Sequence, residues 1–133
     1  MAKKTTSEKT SQIAFWIVTI LLSLGMVGGG IGQLMRAKQT VEGFSHLGYP
    51  PYLLSILGTW KILGIIAILL PKFQLLKEWA YAGFFFAMSG AAISHIVSGD
   101  DFAHFIAPLV FVLLTILSWW LRPANRKLSI IRK

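Results

Sequence analysis

One lysine interrupts an apolar run at its middle. Lys61 lies nine residues from either end of the stretch 52–70. A charge at mid-membrane costs about 2.5–3.5 kcal/mol on insertion scales, so such residues face a bundle interior and find a partner. Glu78 is the expected one, because the run that follows starts on the side where 52–70 ends. At 1.5 Å rise per residue Lys61 lies roughly 14 Å deep and Glu78 roughly 4–5 Å, a gap that two long side chains nearly close. Trp60 stands beside the lysine in mid-span, away from the boundary positions that tryptophan favours. Lys61, Glu78, Trp60 and His95 are therefore the candidate intramembrane polar or ligand site. Snorkelling of the lysine toward an interface is the plainer alternative.

A second group stands at the other boundary: His95, Asp100, Asp101 and His104. Three readings stay open. The aspartates cap the last span, favoured by its dipole, with the histidines as interfacial hydrogen-bonding groups. His95, Asp100 and His104 have the ligand types of a metal site, though no HExxH-like spacing supports one. The two histidines also lie at similar depth, as a bis-histidine haem would need. No catalytic residue is assigned. There is no Ser–His–Asp arrangement, and Glu78 lies across the membrane from the aspartates, so they form no carboxylate dyad.

These residues are positioned by four apolar runs, 12–35, 52–70, 76–97 and 102–121. Each has about the 20 residues a helix needs to cross roughly 30 Å of hydrocarbon. The runs are continuous rather than alternating, which excludes a transmembrane barrel. Composition agrees: 55% hydrophobic, 14% charged, 13% aromatic, mean hydropathy +0.66. A soluble domain carries about a quarter charged residues, and a disordered chain has few aromatics. With no cysteine there is no disulfide framework, thiol redox motif or iron–sulfur cluster. The expected fold is an all-α, antiparallel four-helix membrane bundle forming one domain over 1–133. Tails 1–11 and 122–133 are basic. The first run is too long for a signal-peptide core and is read as a span.

Lys and Arg counts set the orientation. Lys3, Lys4, Lys9, Lys72, Lys77, Arg122, Arg126, Lys127, Arg132 and Lys133 fall on one side, and only Arg36 and Lys38 on the other. Both termini are expected in the cytoplasm, and in a bacterium the membrane is the plasma membrane. The net charge of +8 then serves orientation and anionic headgroups, with no nucleic-acid partner implied. Trp16, Trp79, Trp119 and Trp120 mark the inner interface, Tyr49 and Tyr52 the outer one.

In lipid, helices associate through small residues and polar contacts. Gly25 with Gly29, and Gly28 with Gly32, are spaced four apart on the first run; Gly83 and Gly90 continue a small-residue stripe on the third. All six are expected in helix packing; for the glycine run of the first span a ligand-approach surface or a hinge is the alternative, and those glycines could also join two copies in a homo-oligomer. Pro108 is expected to kink the fourth run. The connection 36–51 is long for an unstructured loop, so 37–47 is expected to form a short interfacial helix.

Several stretches carry a resemblance. They are Leu47-Gly48-Tyr49-Pro50, Gly58-Thr59-Trp60-Lys61-Ile62-Leu63-Gly64, Leu76-Lys77-Glu78-Trp79-Ala80-Tyr81-Ala82-Gly83, Ser94-His95 through Gly99-Asp100, and Leu121-Arg122-Pro123. In these the chain resembles the DoxX-like family of small four-helix membrane proteins, from first span to last. Members named for thiosulfate:quinone oxidoreductase look like membrane subunits of a redox enzyme. Eukaryotic relatives include a chaperone that assists assembly of nicotinic acetylcholine receptors. The resemblance implies two functions of different class. One is a non-catalytic accessory or chaperone-like protein that binds a membrane partner or lipid. The other is a quinone-linked subunit, with Lys61, Trp60 and Glu78 lining a pocket open to lipid. A transporter is disfavoured, because no inverted repeat or broken helix pair is visible.

Overall fold

The computed structural model describes residues 5–128. Four long helices and one short one follow in order: α1 (Thr6–Leu34), α2 (Lys38–His46), α3 (Tyr52–Leu69), α4 (Gln74–Val97) and α5 (Phe102–Trp120), with a single 3₁₀ turn at Ala124–Arg126. α1, α3, α4 and α5 are each long and apolar enough to cross a membrane. They pack as a ring, α1 against α3, α3 against α4, α4 against α5 and α5 against α1. Neighbours in the ring run antiparallel. The α1–α3 and α4–α5 seams are extensive, and the α3–α4 and α1–α5 seams thinner. The start of α1 and the end of α5 share one end of the bundle, and α2 lies at the other.

Boundaries follow the apolar runs closely, with one shift. α1 begins at Thr6, inside the stretch expected as a tail. A reciprocal cap explains it: Glu8 N donates to Thr5 Oγ1 (3.0 Å) and Thr5 N to Glu8 Oε1 (2.7 Å). Two orphan donors of the first turn are thereby satisfied. α2 forms where the short interfacial helix was expected and buries none of its residues. α5 runs through Pro108 without a break in the helix.

The apolar core is built from Leu22, Met26, Ile65, Ile68, Tyr81 and Phe84. Beside it runs a chain of hydroxyls. Ser118 Oγ is 2.6 Å from Thr19 Oγ1 and 2.7 Å from Tyr81 Oη, joining α1, α4 and α5. All three residues are buried. In hydrocarbon an unmade polar bond is costly, so each helix must present its hydroxyl at the matching height.

Helix backbones meet directly at two glycines absent from the six expected. A Cβ on Gly58 would lie 2.8 Å from the Gly30 carbonyl oxygen, and one on Gly30 would lie 3.0 Å from that of Gly58. This crossing brings α1 and α3 backbone to backbone. Among the six, Gly25 faces the Phe111 ring and Gly29 the Lys61 ammonium, while Gly32 lies near Thr40. Gly28, Gly83 and Gly90 meet nothing within 4 Å of an added Cβ. Among the described residues no other helix packs against these three; Gly83 on α4 lines a cavity instead.

Candidate functional site

Between α3 and α4, where the ring is thin, lies a cavity of about 550 Å³. That is within the 300–1,000 Å³ of ordinary ligand sites. Lys61 and Trp60 line it from α3, and Trp79, Gly83 and Phe84 from α4. Two glycines shape it. Gly64 on α3 lets the Phe84 ring approach so closely that a Cβ would lie 2.6 Å from it. Gly83 on α4 leaves its side of the wall without a side chain. Trp60 is 64% exposed at the cavity's rim. Lys61 is the one charged residue among those lining the cavity.

The lysine stem crosses from this cavity to the α1–α3 seam. Its Cβ meets Gly30 and its Nζ lies 3.5 Å from a Cβ placed on Gly29. The glycines of α1 thus clear a berth for the ammonium. Among the described residues Lys61 makes no hydrogen bond or ion pair.

The pairing expected between Lys61 and Glu78 is corrected. Glu78 Oε2 accepts from Arg122 Nη1, and its Oε1 from Trp119 Nε1 at 3.1 Å. Glu78 lines a separate groove of about 290 Å³ between α4 and α5. The helix turns it away from the cavity that holds Trp60 and Lys61. Arg122, counted by sequence with the tail, is buried and stacks over Trp119 (5.2 Å) and Tyr81 (5.6 Å). Cation–ring contacts of this kind offset some of the cost of burying a guanidinium.

A second buried charge escaped sequence reasoning. Lys77, expected in a loop, sits in the first turn of α4 and is 1% exposed. Its ammonium donates to the carbonyls of Ala67 (2.7 Å), Leu70 and Lys72 (2.7 Å). Arg126 adds Nη1 to Ile68 O at 2.9 Å, and lies over the Trp16 ring at 4.9 Å. Together they cap the C-terminus of α3, where carbonyls lack helical partners and the dipole favours cations. The only available signal was a basic residue at the start of one run, seven positions after the end of the previous one.

At the α2 end the expected histidine–aspartate group divides into two. Asp100 takes His95 Nδ1 at 2.7 Å and His46 Nε2 at 2.8 Å, one on each carboxylate oxygen. His104 Nδ1 pairs instead with Asp101 Oδ1 at 2.7 Å. The His95 and His104 rings are 6.2 Å apart at 33°, an edge of the hairpin rather than a pair facing a common centre. No group of three or more His, Asp or Glu residues that could hold a metal ion occurs among the described residues. His46 was not among the candidates; it reaches Asp100 because α2 folds back over the hairpin of α4 and α5. Tyr49 Oη bonded to Ser94 Oγ fastens the same flap. The two histidines hold the Asp100 carboxyl below the usual carboxylate range, His95 contributing most.

Residues 17–118 match the DoxX-like family. The chain belongs to that family. No curated protein and no solved structure is significantly similar to it. The match and the four apolar helices make this DoxX-like chain an integral multi-pass membrane protein in contact with the lipid bilayer. The matched region contains the cavity, Lys61, Glu78 and the Asp100 clamp, and ends at Ser118 of the hydroxyl chain.

Proposed function

We propose that this DoxX-like protein is a non-catalytic accessory protein of the membrane that holds an amphipathic membrane ligand in the α3–α4 cavity. The observation that carries this reading is Lys61: a mid-span ammonium without a partner among the described residues, lining an apolar cavity. A cation in hydrocarbon requires a polar group. A ligand with an apolar body and an oxygen-bearing head supplies it, the body lying between Trp60 and Phe84. Such an occupant suits a lipid-dependent assembly factor, whose open α4 face around Gly90 is free for a partner helix.

A quinone-linked membrane subunit is the second reading. It is favoured by Trp60 and Lys61 sharing one cavity, where a planar ring has an aromatic wall and a head carbonyl an ammonium donor. Glu78, placed in the other groove, has no part in that site.

The test is purification in mild detergent followed by mass spectrometry and absorption spectroscopy of extracted small molecules. The expected result is one amphiphile near stoichiometry. It should be lost from Gly83→Leu, whose side chain projects into the cavity from a position where a Cβ meets nothing within 4 Å, and reduced roughly tenfold in Lys61→Met, the loss of one charge-assisted hydrogen bond. An extracted quinone selects the second reading. Identical extracts from all three proteins reject both.

A further inference from the structure

One side-chain atom among the described residues is buried without a hydrogen-bond partner: Gln33 Oε1. Gln33 is 5% exposed, on α1. Its Cβ faces the α1–α3 crossing, 3.3 Å from where a Cβ on Gly58 would sit. Gln33 lies four residues beyond Gly29, hence on the same face of α1 and about 5–6 Å along it. Gly29 is where the Lys61 ammonium rests. On α3, Lys61 stands three residues from Gly58, again one turn away. An acceptor without a donor and a donor without an acceptor thus occupy neighbouring turns of one seam. No direct bond joins them. Buried polar atoms are satisfied in nearly all native structures, by protein, water or ligand.

We propose that Gln33 and Lys61 form one polar site across the α1–α3 seam, and that it takes the hydroxyl head of an amphiphile whose body lies in the α3–α4 cavity. This rests on the cavity reading above and adds the chemistry of the head group. The lysine stem lines the cavity and its ammonium reaches the seam, so the two regions meet at this side chain. A hydroxyl accepts from the ammonium and donates to Gln33 Oε1, satisfying both. A ketone, ether or ester accepts from Lys61 but leaves the glutamine oxygen unpaired. A carboxylate satisfies the lysine and places its own lone pairs against Oε1. A quaternary ammonium head fails with Lys61. A site built to bond a hydroxyl rejects the analogue lacking its proton, because a buried group is then stranded.

The test uses the full chain in phosphatidylcholine nanodiscs and three probes of equal length: a long-chain primary alcohol, its methyl ether and the matching ketone. Each carries a brominated tail, and binding is read as quenching of tryptophan fluorescence. In the unsubstituted protein the alcohol should bind roughly tenfold more tightly than the ether, the value of about one hydrogen bond to a buried partner. Gln33→Met should bind alcohol and ether alike, and Gly83→Leu should bind none of the three. Equal binding of alcohol and ether by the unsubstituted protein overturns the hydroxyl site and leaves the cavity reading intact; water then fills the seam. Tightest binding of the ketone also overturns it, since the amide nitrogen would then face the head. Quenching that survives in Gly83→Leu overturns the cavity reading and the inference together. Should Gln33→Met not fold, the alcohol-to-ether ratio in Gln33→Asn decides, since the shorter side chain withdraws the oxygen from the seam: a ratio unchanged from the unsubstituted protein overturns the site.

Discussion

Lys77 shows at the residue scale how a charge becomes part of the scaffold. Its ammonium is enclosed by three carbonyls from the end of α3 and the turn beyond it. Lys77→Met keeps the stem's volume and strands those acceptors. We expect a loss of about 2–4 kcal/mol, the usual cost of breaking a buried charged hydrogen-bond group, read as a lower unfolding midpoint in detergent. Glu78 and Arg122 make a second test. Their carboxylate–guanidinium contact predicts coupling of about 1–3 kcal/mol in a double-mutant cycle of Glu78→Gln and Arg122→Gln. Lys61→Met and Glu78→Gln, on separate cavities, should be additive; coupling there would restore the pair expected from sequence. Gly58→Leu drives a side chain into the α1 backbone at Gly30 and should destabilise by at least about 1–3 kcal/mol, the range for overpacking. Gly83→Leu should leave the unfolding midpoint where it is.

Elements repeat the contrast between what hydropathy reveals and what it hides. The four spans were legible because each is an apolar run of about the right length between Gly, Pro and charged residues, and α2 because its connection was long for an unstructured loop. α1's early start was not, although Thr5 and Glu8 carry the capping-box spacing, because hydropathy is silent in a polar stretch. Lys77 and Arg122 were counted as loop and tail cations. Only the relative rotation of helices turns one toward carbonyls and the other toward Glu78, and rotation is a tertiary property. Gly30 and Gly58 belong to different helices, so no spacing within one run could have paired them. At this scale the flap of α2 gives a pH prediction. Asp100 is held below the usual carboxylate range by His95 and His46. Its contribution is therefore fully present above the carboxylate's ordinary value. It is lost as pH falls from there through the lower folded value. A spin label at Thr40 on α2 should report a tethered helix at neutral pH. It should become mobile at strongly acidic pH, whereas Asp100→Ala is mobile throughout.

The whole molecule is asymmetric along its axis. One end is pinned by buried cations, ring contacts and the hydroxyl chain; the other is closed by a helix that buries none of its residues. The candidate cavity lies along the thin α3–α4 seam. The basic residues Arg126 and Lys127 sit at the pinned end, beside Lys9 and Lys72. The excess of Lys and Arg predicts that this end faces the cytoplasm. Reporter fusions after residue 128 should be active only in the cytoplasmic-reporter format, and a fusion within 47–50 only in the external one.

The cap on α3 also carries a clock. Arg126 is 58 positions later in the chain than Ile68, whose carbonyl it holds. At elongation rates of about 5–20 residues per second, α3 leaves the ribosome about 3–12 s before that guanidinium does. For that interval the helix end depends on Lys77 alone, which follows within a second or two. The nascent bundle therefore matures in two instalments, with the second arriving only as translation passes the end of α5. Stalling the ribosome between those points would hold α3 in its half-fastened form.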